Sequence, residues 1–341
     1  TVPEDTDNPF LKGYFAPMGT EYTANTDSLK VIGEIPKDLH GIYVRNSHTQ
    51  VLAPLGHYHP FDGDGMVQAV YFKDGKAEYR NRFIRTVGFL AEQAAGKSLW
   101  PGILEPHLAT YRGWGAIGAM KDNAGTDLIH HAGKLLASMS QGSEPYRLNP
   151  ITLETEGVDS WGKDVMPFGV SSHYKVDLKT GELMFFNFGE QYPYMNYGVV
   201  DRNNKLVHYV PIELPGARWP HDMGITKNYT ILHDLPMFFD PIQLNKGIRQ
   251  LKFFPNIPSR FEIVPRYGDN SDIRWFEASP CYILHISNSY EIGDEVIMMA
   301  VFRHNQLDRM LENKVETYIT KLERIWINIK PKHICTDGAL T

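Results

Sequence analysis

Hydrophobic residues along this chain recur in short runs rather than at helical spacing. Gly41–Arg45, Met66–Phe72, Lys134–Ser138, Leu183–Phe188 and Tyr229–His233 are β-branched or aromatic stretches bounded by Gly, Asp, Asn and Pro clusters. Each predicts a strand. Turn signals stand between them, at Lys73-Asp-Gly-Lys76, Leu178-Lys-Thr-Gly181 and Asp201-Arg-Asn-Asn204. Such residues supply the backbone conformations that tight hairpins need. Helical periodicity is confined to Leu90–Gly96 and Gln306–Glu312, both short. Many short strands with few helices predict an all-β sandwich, barrel or propeller. No strict repeat is present, but an order of strand, turn, strand and histidine-bearing strand recurs loosely. A propeller of four-stranded blades would let inner-strand histidines meet on its axis. No linker rich in Gly, Ser or Pro divides the chain, so residues 1–341 read as one domain.

Composition narrows the function classes. The chain has 341 residues, 42% of them hydrophobic, which is enough for a large core. Its net charge of −6 provides no basic footprint, which argues against a nucleic-acid partner. Cys281 and Cys335 form neither a disulfide framework nor a Cys-x-x-Cys metal site, and Cys281 lies in an apolar run that predicts a buried thiol. No stretch approaches the roughly 18 consecutive apolar residues of a membrane span. The opening segment Thr1–Pro9 is polar and acidic, unlike a signal peptide. The expectation is a soluble, cytoplasmic protein.

Candidate chemistry rests on three of the 14 histidines: His173 in Phe168–Asp177, His221 in Pro220–Pro236 and His285 in Cys281–Glu291. Neutral imidazole suits iron, copper, zinc and nickel. Ligands so far apart cannot come from one helix or hairpin and would have to converge from successive modules. Taken singly, each is as readily a hydrogen-bonded core residue. His57 and His59 form a local competitor, since residues two apart share a strand face. The Gly63-Asp-Gly65 run that follows instead reads as a turn that fixes the backbone. By themselves the residues leave a β-rich protein with a candidate metal site.

A resemblance goes further. Asn8–Pro17, Gly33–Asn46, His59–Val67, Tyr79–Thr86, Asn123–Leu135 and Glu144–Pro150 resemble, in order, successive motifs of the carotenoid cleavage oxygenase family, and the likeness runs from residue 8 to about 330. It implies a seven-bladed β-propeller whose axis holds non-haem Fe(II) on four histidines. The implied reaction inserts O2 across a conjugated carbon–carbon double bond to give two carbonyl products. The implied substrates are carotenoids, apocarotenoids or hydroxylated stilbenes, all apolar conjugated small molecules. By motif, His173, His221 and His285 match the first three iron ligands.

Several positions depart from the family pattern. The family carries an acid shortly before Pro145-Tyr146, where this chain has Ser140 or Gln141, with Glu144 in a different register. The stilbene-cleaving branch has a lysine there for the substrate phenol, and Met139 occupies that neighbourhood. Tyr111 loosely matches the same branch's phenol-binding tyrosine. Tyr111 and Met139 are therefore the candidate substrate-lining residues, and the resemblance tilts toward a carotenoid or apocarotenoid. Thr86–Leu104 is apolar enough for a tunnel mouth in peripheral contact with a membrane surface, or simply for packing. Family members continue through further blades that carry the fourth histidine. No match for it is found here, because His304 and His333 stand in other contexts. The implied fold is thus a propeller lacking its last blades, with either the parent activity or only apolar-ligand binding.

Overall fold

In the computed structural model the described residues are 1–103, 121–140, 142–162, 165, 169–246, 250–303, 321–329 and 333–336. They fall into two compact units, Thr1–Ser172 and His173–Thr341.

The first unit opens with β1 (Thr23–Asn25), β2 (Gly41–Thr49), β3 (Asp64–Lys73) and β4 (Lys76–Phe83). These form an antiparallel sheet in the order β1-β4-β3-β2. Its β3–β4 hairpin turns through Asp74 (φ 52°) and Gly75 (φ 74°), which pairs Lys73 with Lys76. Both central residues being left-handed is what a two-residue hairpin needs, so the Asp-Gly signal has its expected structural meaning. Helix α1 (Val87–Ala95) follows, starting three residues before the expected Leu90. Its start is set by Thr86, whose hydroxyl accepts the Phe89 N–H at 2.9 Å, and its end by left-handed Gly96. The second expected helix, 306–312, lies outside the described residues.

A second sheet follows in chain order: β5 (Asp127–His131), β6 (Lys134–Ser138), β7 (Tyr146–Leu148) and β8 (Thr155–Val158). Alternate residues Val67 and Ala69 of β3 meet Leu135 and Ala137 of β6 in one core, so the two sheets pack face to face. The Asp62-Gly-Asp-Gly65 run is structural. A Cβ on Gly65 would sit 2.4 Å from the Asn123 carbonyl oxygen, so only bare backbone fits there.

The second unit comprises three four-stranded sheets and a two-stranded one among the described residues. The first contains β9 (Lys175–Val176), β10 (Leu183–Phe188), β11 (Tyr194–Val200) and β12 (Leu206–Glu213). The next begins with β13 (Gly224–Ile225) and β14 (Tyr229–Asp234). The chain then makes a detour through β15 (Met237–Phe239), α2 (Pro241–Leu244) and β16 (Leu251–Phe253), and the sheet is completed by β17 (Ser259–Pro265) and β18 (Arg274–Ala278). The last contains β19 (Tyr282–Ile292), β20 (Glu295–Arg303), β21 (Lys321–Asn328) and β22 (His333–Thr336).

The middle sheet is buried on both faces. Leu232 of β14 packs with Met184 and Phe186 of β10, while its neighbour Ile231 packs with Ile283, Val296 and Met298 of the following sheet. Alternation along the strand thus feeds two cores, which is why β14 is buried from Thr230 to Asp234. Each such fully buried side chain contributes about 1.5–3 kcal/mol.

The expected strands at 41–45, 66–72, 134–138, 183–188 and 229–233 all lie inside observed ones. The loose repeat differs in one respect: each histidine segment belongs to the first strand of its sheet, not the last. His285 lies within β19, whereas His173 and His221 stand just ahead of β9 and β13. In all three sheets that first strand is at an edge.

Candidate metal centre

Short edge strands put the histidines where they are. β9 and β13 pair for only two residues, with Met184 and Leu183 and with Ile231 and Thr230. The chain ahead of each is therefore free of the ladder, and His173 and His221 occupy those leading segments. Gly224, three residues after His221, brings the segment against β19: a Cβ there would meet Ser289 Oγ at 2.5 Å. His285 sits where the β19–β20 register slips between Ile283 and Ile286. A bulge of this kind re-aims a side chain away from regular alternation.

The three imidazoles converge. His173 Nε2 lies 3.0 Å from His221 Nε2. Ring centroids are 4.6 Å apart for His173 and His221, and 5.1 Å for each pair with His285. One ring nitrogen from each residue falls within 4.8 Å of the others. His173 and His221 are half-buried and His285 is exposed. Burial, and then the neighbouring His173 and His285 rings, push the His221 pKa down to about 3, against the pull of Asp222. This imidazole is neutral in the folded chain over the physiological range, as a metal donor must be.

Those observations fit a metal ion. Imidazole nitrogens about 2.1 Å from one cation lie roughly 3 Å from each other, which is the observed separation of the closest pair. Among the described residues no other His, Cys, Asp or Glu joins the cluster.

Residues beside the histidines complete the site. The carboxylate of Asp222, 2% exposed, receives the Met223 N–H at 2.7 Å, the Ile286 N–H at 2.8 Å and the Lys175 ammonium at 2.7 Å. Burial alone would raise its pKa, but the Lys175 charge and the Ile286 N–H outweigh it and hold the carboxyl below its ordinary range. Buried His233 lies near Asp222, and burial lowers its pKa. Sequence reasoning missed Asp222 and Lys175. Their only signal was adjacency, one residue after His221 and two after His173.

The other expected positions fare differently. Tyr111 and His304 lie outside the described residues. Met139 is buried in the first unit, where its sulfur accepts the Thr126 hydroxyl at 2.9 Å. With Phe61, Trp100, Ile103 and Lys121 it lines a cavity of about 40 Å³. Of the His57/His59 pair, His59 has a local role. His59 Nδ1 accepts the Phe61 N–H at 3.1 Å while Asp62 accepts the His59 N–H at 2.8 Å, which caps the turn Pro60–Asp62.

Comparison with known proteins places these features. The model of the family described as retinal pigment epithelial membrane protein matches residues 15–333. A carotenoid 9,10(9',10')-cleavage dioxygenase of Crocus sativus is 33% identical over 342 residues, covering 94% of this chain and 62% of that protein. An isoeugenol monooxygenase of Pseudomonas nitroreducens is 33% identical over 292 residues, covering 85% and 60%. The crystal structure of Pseudomonas brassicacearum lignostilbene dioxygenase matches with a TM-score of 0.83 and 25% identity, over 98% of this chain and 71% of that one. The chain therefore spans less than two thirds of the length of these curated relatives. With a family match running through almost every described strand, the chain belongs to the retinal pigment epithelial membrane protein family, that of the carotenoid cleavage oxygenases.

Proposed function

We propose that the chain holds ferrous iron on His173, His221 and His285 and serves an O2-dependent cleavage of a conjugated carbon–carbon double bond in an apolar small molecule. The observation that carries this reading is the convergence of three imidazoles from in or just ahead of the first strands of three separate sheets, two of them 3.0 Å apart. Iron bound there would supply dioxygen activation. Both oxygen atoms enter the products, one on each new carbonyl, so no external reductant is required.

The chain's own residues bind and orient. His221, with its pKa pushed down to about 3, keeps its nitrogen unprotonated and available as a donor. Asp222 and Lys175 brace the segments on which His173 and His221 stand. Exposed His285 offers its ring from a strand bulge. The face-to-face sheets in each unit suit the family's seven-bladed propeller, to which we assign these residues. Exposed apolar side chains of the first unit, Leu55, Phe61, Val87 and Leu90, support peripheral contact with a lipid surface. No helix among the described residues is long and apolar enough to cross a membrane.

A carotenoid or apocarotenoid substrate is favoured by the named relative from Crocus sativus and by Met139 standing where the stilbene branch has lysine. A phenolic substrate is the second reading, supported by the likeness to lignostilbene dioxygenase and isoeugenol monooxygenase. Incubation of the iron-loaded chain with an apocarotenal and with a hydroxystilbene under O2 separates them. Aldehyde products from one substrate assign the class. Recovery of both intact, with one of them bound, would reduce the chain to an apolar-ligand carrier.

A further inference from the structure

We propose that Asp222 is a positioning residue whose single buried carboxylate ties together the three segments that present the histidines. The inference rests on the metal-site reading for what is positioned, and on hydrogen bonds for how. Asp222 directly follows His221. One of its oxygens takes the Lys175 ammonium at 2.7 Å, two residues beyond His173. The other takes the backbone N–H of Ile286 at 2.8 Å, one residue beyond His285. Each arm therefore ends beside a different histidine.

The strand ladders cannot do this alone. β9 and β13 pair through two residues each, so the segments bearing His173 and His221 are anchored weakly by sheet hydrogen bonds. His285 sits at an irregularity of the β19–β20 register, where pairing is also interrupted. A metal site tolerates about half an ångström of error in its donors, and three independently drifting segments would exceed that. The carboxylate supplies cross-links where the ladders give none. It is suited to the task because it is 2% exposed, so its bonds do not compete with solvent. The Met223 N–H, at 2.7 Å, fixes its own orientation.

The test uses Co(II), with its visible d–d absorption, as the probe in calorimetric titrations of the chain and of D222A, D222N and K175M. D222A is expected to weaken Co(II) binding about 100-fold, and D222N and K175M about 10-fold, the range seen when residues behind metal ligands are changed. The d–d band of each variant should shift while the thermal transition of D222N and K175M stays near that of the parent. Should D222A fail to fold, those two variants carry the test. Co(II) affinities and spectra within twofold of the parent in D222N and K175M would overturn the proposal. Failure of the parent chain itself to bind Co(II) would overturn the metal reading instead. In that event amide exchange decides the tie: D222A should lose protection at Ile286 and across Tyr174–Val176, and unchanged protection at both would overturn it.

Discussion

Lys121 in the first unit and His221 in the second are both partly buried, yet their surroundings differ in kind. Lys121 lies between Asp64 and Glu92, whose side chains are 3% and 4% exposed. Burial alone would lower its pKa, but the two carboxylates outweigh burial and hold it above the ordinary lysine range. Next to it, Asp122 takes the Tyr146 hydroxyl at 2.5 Å and the Gly88 N–H at 2.9 Å. Opposite charges and donors close on one another there, and the cluster organises the chain around α1 and β3. His221 meets like groups instead. His173 and His285 both disfavour its protonation. Burial among opposite charges is a way of building structure, whereas convergence of like donors directs lone pairs at a shared space that a cation can fill.

That contrast can be broken or sharpened by substitution. Lys121→Met should have the largest effect on stability, because it strands two buried carboxylates; about 3–5 kcal/mol is expected in urea unfolding. A loss below about 1 kcal/mol would show that Asp64 and Glu92 do not need the lysine. Gly65→Ala should cost about 1–3 kcal/mol, since its Cβ would press 2.4 Å from a backbone carbonyl that cannot move aside.

Glu262→Gln should act in the other direction. Glu262 is fully buried, paired across strands with Leu232 and Trp275. Burial, then Asp234, raise its pKa well above the usual 4.5, with Arg260 opposing. The folded chain keeps this proton while the unfolded chain releases it above pH 4.5, so Glu262 makes stability fall as pH rises from there. Gln should remove that slope and raise stability at neutral pH. Identical pH–stability curves for parent and variant between pH 5 and pH 8 would contradict the assignment. The smallest stability change is expected for His285→Ala, within about 0.5 kcal/mol because the side chain is exposed. It should nonetheless abolish stoichiometric metal binding, which Lys121→Met, if folded, should leave intact.

Much of this was legible in the chain and some was not, for physical reasons. Strand position follows from alternation and bounding turns, so Leu183–Phe188 was found to the residue. The Asp74-Gly75 turn was visible because few residues accept a left-handed backbone. Helix α1 was placed late because its start depends on the Thr86 cap rather than on its apolar face. His173 and His221 looked like strand residues, yet strand pairing begins only after them. Their convergence was expected from family motifs, not from spacing. The Lys121 cluster and the Asp222 tie could not be read, since their partners lie tens of residues away and nothing local marks a polar side chain as buried.

The central claim is tested most directly by anaerobic Fe(II) titration of the chain beside H173A, H221A and H285A, with bound iron measured after gel filtration. The account predicts one equivalent of iron in the parent and little in each variant, with all four folded by circular dichroism. A parent chain that retains no iron, or variants that retain as much as the parent, would contradict it.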